Sequence, residues 1–279
     1  MLTSLSYCRG YYFMSHKTRI LVLGAGFGGM ELCTTLSETL GDQVAVTLID
    51  KSDHFVFGYS KLDLMFGRTD AEAIRLPYRN FVKPGVTLLR ETVVSIDPEA
   101  RRVVTDAGTH EGDYLVVALG AEYDFDATPG LKEANEFYSV AGAAVLKDVL
   151  ANFTGGKVVV GVCGAPYKCP PAPSECVLML HDFLEKRGLR DKSEITLVIP
   201  FGVPIPPSPE TAKALLGEFA SRNIIWVPQR RVAAVEPGRA VLDDGSALPF
   251  DLFLGVPKHR APAAVEASGM AEGGWIPKP

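Results

Sequence analysis

Apolar positions along the chain come in two textures. Arg19-Ile20-Leu21-Val22-Leu23 is apolar after its first residue, the pattern of a strand buried on both faces of a parallel sheet. It runs into Gly24-Ala25-Gly26-Phe27-Gly28-Gly29 and a helical stretch from about Gly28 to Leu40. Val44-Ala45-Val46-Thr47-Leu48-Ile49 then predicts a second strand that ends at Asp50. Strand, helix and strand within about thirty residues make one βαβ unit. From residue 86 to 113 the texture changes. Short Val/Thr/Ile runs, Thr92 to Ile96 and Arg101 to Thr105, are separated by Asp97-Pro98-Glu99 and Ala107-Gly108. This alternation predicts an antiparallel meander. Tyr114-Leu115-Val116-Val117-Ala118-Leu119-Gly120 returns to a buried strand.

Near residue 130 the pattern starts again. A helix is predicted from Ala141 to Phe153, a strand from Lys157 to Cys163, and a helix from Ser174 to about Arg187. A strand from Ile195 to Ile199, a helix from Pro209 to about Ser221, and short strands through Leu248 follow. Asp251-Leu252-Phe253-Leu254-Gly255 is patterned like Tyr114 to Gly120 and is expected to carry the chain back to the first domain. The fold class is therefore α/β, with two Rossmann-like, doubly wound three-layer domains, the first completed by the β-meander. The expected division is 17–130 with 251–279 for the first domain and 131–250 for the second. Residues 1–16 show no period and are expected to be a disordered leader.

Composition narrows the function classes. The 279 residues carry 28 Lys plus Arg against 33 Asp plus Glu, a net charge of −5, which argues against a nucleic-acid binder held by bulk electrostatics. No run approaches the apolar length of a bilayer span and no secretory leader is evident. The expected location is cytoplasmic, with membrane contact at most peripheral, at the inner face. Five cysteines, Cys8, Cys33, Cys163, Cys169 and Cys176, are too few for a disulfide scaffold and fit a reducing compartment. No metal-ligand spacing stands out.

The spacing Gly24-x-Gly26-x-x-Gly29, after a strand and opening a helix, is a dinucleotide-binding turn. Its first glycine permits the tight turn, the second admits a pyrophosphate to the backbone, and the third lets helix and strand pack closely. Asp50, at the tip of the second strand, is placed to accept hydrogen bonds from a ribose diol. The turn alone leaves FAD and NAD open, since both share the ADP half.

The second α/β unit has no such turn. After Cys163 the sequence reads Gly164-Ala165-Pro166-Tyr167-Lys168-Cys169-Pro170-Pro171-Ala172-Pro173, and proline supplies no N–H for a phosphate. The next strand ends in Pro200-Phe201, where a ribose-binding acid is expected. Instead a cysteine stands beside a helix N-terminus and next to Lys168, both of which favour a nucleophilic thiolate. Cys163, at the end of an apolar strand, and Cys176 read as filler thiols, although a local Cys169–Cys176 disulfide is an alternative. Cys33 faces the core. His181 reads as a core-edge histidine, and His259 as a better acid/base candidate that is still more simply structural.

These features resemble a known family. The meander leading into Ala118-Leu119-Gly120 resembles the segment closing the FAD domain of two-dinucleotide-domain flavoproteins, with a glutathione-reductase-like fold. The Gly164–Glu175 stretch resembles the cysteine loop of sulfide:quinone oxidoreductases and of the flavin subunit of flavocytochrome c sulfide dehydrogenase. The resemblance runs from about Lys17 to the end of the chain. It implies FAD held by Gly24, Gly26, Phe27, Gly28, Gly29, Asp50, Lys51, Ala118 and Gly120. It implies Cys169, assisted by Lys168, as the redox residue that receives sulfur from sulfide or a related sulfur nucleophile and passes electrons to FAD. A quinone or cytochrome is then the electron acceptor, and a homodimer a possible assembly. Full members of that family continue into a segment with a Gly-Asp pair, a second redox cysteine and a quinone pocket, so the sequence reads as a fragment of such a protein. Two alternatives stand beside this reading: an NAD(P)H-dependent flavoprotein reductase of the NADH:quinone or ferredoxin-reductase type, and a truncated dinucleotide-binding module without catalysis.

Overall fold

A computed structural model describes residues 17–277. The expected leader, Cys8 included, lies outside the described residues, as do the last two positions. The described residues form two compact units, 17–52 with 81–119 and 53–80 with 120–277.

In the first unit four strands pair in the order Val86–Arg90, Val44–Asp50, Thr18–Leu23, Tyr114–Val117, all parallel. Numbered along the chain this is 3-2-1-4, the order of a Rossmann half-sheet. The continuous apolar runs explain why these segments lie in the middle: Val22, Leu23, Leu48 and Ile49 are fully buried. The helix Phe27–Leu40 buries Gly29, Cys33 and Ser37, a four-residue spacing that keeps one face on the sheet. The expected meander is formed by Val93–Asp97, Arg102–Thr105 and Thr109–Glu111.

The second unit repeats this plan. Its parallel sheet runs Ile224–Pro228, Ser193–Ile199, Gly156–Val162, Leu252–Val256, again 3-2-1-4 along the chain. A three-stranded antiparallel insert, Val232–Glu236, Arg239–Leu242 and Ala247–Pro249, again precedes the fourth strand. The likeness extends to single hydrogen bonds. Asp113 takes the Arg19 N–H on its carboxylate at 2.8 Å and gives its own N–H to the Arg19 carbonyl at 2.8 Å. Asp251 does the same with Lys157, at 2.7 and 2.8 Å.

The expectation that Asp251–Gly255 returns the chain to the first domain is thereby corrected. Leu252–Val256 pairs in register with Gly156–Val162 and closes the second sheet. The pattern it shares with Tyr114–Gly120 is real, because each is the fourth strand of its own sheet. A strand's apolar pattern specifies how deeply it is buried, not which sheet accepts it. Residues 53–80, expected within the first domain, also belong to this unit: the helix Ser60–Met65 packs on the helix Val140–Asn152 through Leu62, Leu64, Met65, Leu146 and Leu150.

Gly161 and Gly255 are paired residues of adjacent strands, and the buried Phe253 ring lies so close that a Cβ on either would approach it to 3.0 Å. Val232 is nearer still to Gly161, at 2.6 Å. Gly161→Val is expected to overpack this layer and to lower stability by about 1–3 kcal/mol, read as a fall in the urea midpoint at unchanged slope.

Candidate functional site

Two sequence-predicted sites fall in the two units, one in each. In the first, Gly24 has φ +98°, and a Cβ there would meet the Ala118 carbonyl oxygen at 2.4 Å. A Cβ on Gly29 would strike the Gly24 carbonyl oxygen at 1.8 Å. The first and third glycines are thus required by the backbone of the turn itself. Around Gly26 nothing lies within 4 Å of a Cβ, so the second faces open space, as a turn that admits a pyrophosphate must. The helix that follows has no side-chain cap and no acid in its first turn, which suits an anion at its positive end. Gly28 has room, with only the Ala118 methyl at 3.9 Å; Phe27 and Lys51 are exposed. Gly120 takes φ +70° and is the first residue of its stretch of the second unit.

Asp50 has a part in this turn that the sequence did not disclose. Its carboxylate accepts the Ala25 N–H at 2.7 Å and the Ser52 N–H at 2.8 Å, while Gly24 donates to the Ile49 carbonyl at 2.7 Å. The acid fastens the glycine turn to the second strand, and each oxygen keeps a further lone pair for a ribose hydroxyl.

The second site is the cysteine loop. Cys163 closes its strand by donating to the Val256 carbonyl at 2.9 Å. The chain then passes a cis Ala165–Pro166 bond and reaches Cys169 at φ +54°. The Ala172 N–H, at the start of the helix Ala172–Lys186, is spent on the Cys169 carbonyl at 3.0 Å. Pro171 and Pro173 offer no N–H, so this helix start lacks the donors that the glycine turn presents. Phe201, standing where a ribose-binding acid was expected, instead stacks on Tyr167 with 5.9 Å between ring centres.

Tyr138 supports the loop from below. Its hydroxyl donates to the carbonyls of Lys168 at 3.0 Å and Cys169 at 3.3 Å, and only 4% of the residue is exposed. Its own place is set by a helix cap. Ser139 accepts the Gly142 N–H at 2.8 Å, and Glu136 accepts the N–H groups of Tyr138 at 2.7 Å and Ser139 at 2.9 Å. Tyr123 and His259 complete an aromatic cluster, with edge-on contacts of 5.1 Å between Tyr123 and His259 and 5.5 Å between Tyr138 and His259. The His259 Nδ1 faces the Pro257 carbonyl at 2.9 Å. Burial, with repulsion from Lys168 and Lys61, brings this imidazole down to about 4, so it is neutral at physiological pH. That is the structural role the sequence favoured for it.

The charges around the thiol differ from expectation. Burial pushes the Cys169 thiol above its ordinary range, and Glu175 adds to this; the Tyr59 hydroxyl, the Ala172 N–H and the charge of Lys61 pull the other way. Tyr59 bears on both Cys169 and Glu175, and its phenol is raised to about 12, first by Cys169. The adjacent Lys168 has other partners. Its ammonium donates to the Ala121 carbonyl at 3.1 Å and lies 4.6 Å from the centre of the Tyr123 ring. Lys61, whose ammonium donates to the Tyr138 carbonyl, is the cation whose charge reaches Cys169. The expected thiolate beside Lys168 is therefore corrected to a half-buried, resting thiol with Tyr59 and Lys61 as its polar neighbours.

The other described cysteines are buried and free, so no Cys169–Cys176 disulfide forms. Burial raises Cys33 to about 11 and Cys163 to about 12, and drives Cys176 higher still. His181 is buried at the core edge as expected, its Nδ1 3.5 Å from Asp182 and 3.7 Å from Glu185. Tyr59 and Lys61 lie in a stretch with no period or motif, and nothing in the sequence singled them out. Tyr138 had one available signal, its place immediately before the cap Ser139, where an apolar residue commonly packs against the helix it precedes.

Two outcomes follow from this geometry. Tyr59→Phe removes the hydroxyl that favours the thiolate, so the pH midpoint for alkylation of Cys169 by iodoacetamide should move upward and the rate at neutral pH should fall roughly threefold to tenfold. Because Cys169 occupies the left-handed region, Cys169→Gly should be more stable than Cys169→Ala by about 1 kcal/mol in thermal or denaturant unfolding.

Comparison with known proteins bears on the chain as a whole. The chain is 31% identical over 268 residues to the sulfide-quinone reductase of Aquifex aeolicus, covering 90% of this chain and 60% of that protein. The X-ray structure of the sulfide:quinone oxidoreductase from Aquifex aeolicus superposes with a TM-score of 0.76 at 27% identity, over 91% of this chain and 61% of that one. A type II NADH:quinone oxidoreductase of Staphylococcus saprophyticus is 32% identical over 148 residues, half of this chain and 37% of that protein. The chain thus spans about 60% of the length of its sulfide:quinone relatives. Among the described residues no helix is long and apolar enough to cross a membrane. A family profile, pyridine nucleotide-disulphide oxidoreductase, matches residues 18–256. Its members and the sulfide:quinone relatives are FAD-binding flavoproteins, and the chain belongs to that family.

Proposed function

We propose that the protein is an FAD-dependent oxidoreductase of the sulfide:quinone type, with Cys169 as its sulfur-accepting residue. One observation carries this reading: where a second dinucleotide turn would stand, the chain has a proline-rich loop that presents a half-buried thiol. Proline at 166, 170, 171 and 173 removes the amide donors a nicotinamide dinucleotide needs. The likeness to sulfide:quinone relatives across nearly the whole chain supports it.

The chemistry asked of Cys169 is two-electron sulfur transfer. The thiol and one molecule of hydrogen sulfide become a persulfide: one S–S bond forms, two S–H bonds break, and two protons and two electrons leave. FAD, when bound, supplies the two-electron acceptor, and a quinone or cytochrome would take the electrons onward. The residues proposed to hold FAD are Gly24, Gly26, Phe27, Gly28, Gly29, Asp50, Lys51, Ala118 and Gly120. This chain's residues provide the rest. Tyr59 and Glu175 stand at the thiol to share its proton, Tyr138 holds its backbone, and the prolines keep it in place. A quinone acceptor places the working enzyme at a membrane surface by peripheral contact.

The test uses the purified chain with bound FAD. Sulfide should bleach the oxidised flavin band, and Cys169→Ala should reduce the rate by a hundredfold or more, roughly the scale of a lost nucleophile. Bleaching by NADH and not by sulfide, or sulfide bleaching that Cys169→Ala leaves unchanged, would defeat the proposal.

A further inference from the structure

The cluster beside Cys169 holds two cations with no anion of their own. Lys61 and Lys168 have no carboxylate within ion-pair distance among the described residues. Lys61 is committed to the Tyr138 carbonyl, and Lys168 to the Ala121 carbonyl and the Tyr123 ring. The two ammonium groups repel one another, and both bear on His259. Glu136, whose charge reaches Lys61, is occupied by the Tyr138 and Ser139 N–H groups and the Ser139 hydroxyl. Tyr138 ties this cluster to the thiol: its carbonyl receives Lys61 and the Tyr123 hydroxyl, and its own hydroxyl holds the carbonyls of Lys168 and Cys169. At the centre lies a second unmet group. His259, 3% exposed, has its Nε2 buried with no hydrogen-bond partner; since Nδ1 gives its proton to Pro257, Nε2 presents a lone pair.

From this arrangement we infer that Lys61 and Lys168 form an anion-recruiting site at Cys169, and that the sulfur substrate is taken as the hydrosulfide anion rather than as neutral hydrogen sulfide. The inference rests on the proposed sulfide reading and specifies the charge of its substrate. Unpaired like charges at a partly dry site raise the local concentration of the opposite charge, commonly by about tenfold or more. Hydrosulfide is small enough to sit against ammonium groups already held in place, and its S–H can point toward a lone pair such as that of Nε2.

Alkylation with two reagents of opposite character separates this from the sulfide reading itself. Iodoacetate is an anion and iodoacetamide is neutral, and both attack the thiolate, so the ratio of their rates at Cys169 cancels the thiol's own ionisation and accessibility. The ratio is read at low salt by mass spectrometry of the Cys169 peptide in the full-length chain. Lys168→Met, at an exposed position, and the Lys61→Met/Lys168→Met pair should lower the iodoacetate-to-iodoacetamide ratio, the pair by about tenfold, and Lys→Arg at both positions should preserve it. Added salt should shrink the wild-type ratio toward that of the double variant. A ratio that Lys168→Met and the double variant both leave unchanged overturns the anion site, whatever sulfide does to the flavin. A ratio that falls as expected in a protein whose flavin sulfide does not bleach upholds the site and defeats the sulfide reading alone.

Discussion

The shape of the second unit's cysteine loop depends on one hydroxyl. Tyr138 reaches the carbonyls of both Lys168 and Cys169, and Cys169 stands at φ +54°, a conformation that costs a residue with a Cβ about 1–2 kcal/mol. Such a backbone persists only where its surroundings over-determine it. Here the Tyr138 hydroxyl holds it from one side, the Ala172 N–H from the other, and proline rings flank it along the chain. Tyr138 in turn is fixed by the Glu136 and Ser139 cap of the next helix. A helix cap, an ordinary device of local structure, thus becomes the foundation of the cysteine loop.

The two units build two different turns on one scaffold. Both have a 3-2-1-4 parallel sheet, an antiparallel insert before the fourth strand, and a turn after the first strand. In the first unit glycines bring that turn's backbone into the open, and Asp50 secures it. In the second, prolines withdraw the amides and a thiol takes their place. Phe201, stacked on Tyr167, fills with hydrocarbon a position where an acid would have met a sugar.

Much of this was legible along the chain, and the reasons differ by element. Continuous apolar runs such as Ile20 to Leu23 and Ile195 to Ile199 announce buried parallel strands because both faces are covered. The glycine turn is legible because its φ and its close approaches admit no other residue at Gly24 and Gly29. What escaped was relational. Leu252–Val256 carries the right pattern for a fourth strand, but its partner is chosen by register with Gly156–Val162 and by the Asp251 latch, neither of which is written in the strand itself. Lys168 looked like the thiol's cation because it is adjacent in sequence, yet its ammonium turns away to the Ala121 carbonyl, and the charge at the thiol arrives instead on Lys61, from the distant helix Ser60–Met65. Burial then outweighed the groups expected to ionise Cys169, a balance that only the packed structure settles.

The paired latches, Asp113 on Arg19 and Asp251 on Lys157, lie at the opening of each first strand, whereas the glycine and proline turns lie at its far end. Closure of the sheet and the chemistry at its rim are therefore anchored by different residues, so a new ligand specificity can be written at the rim while the joint that seals each half stays untouched.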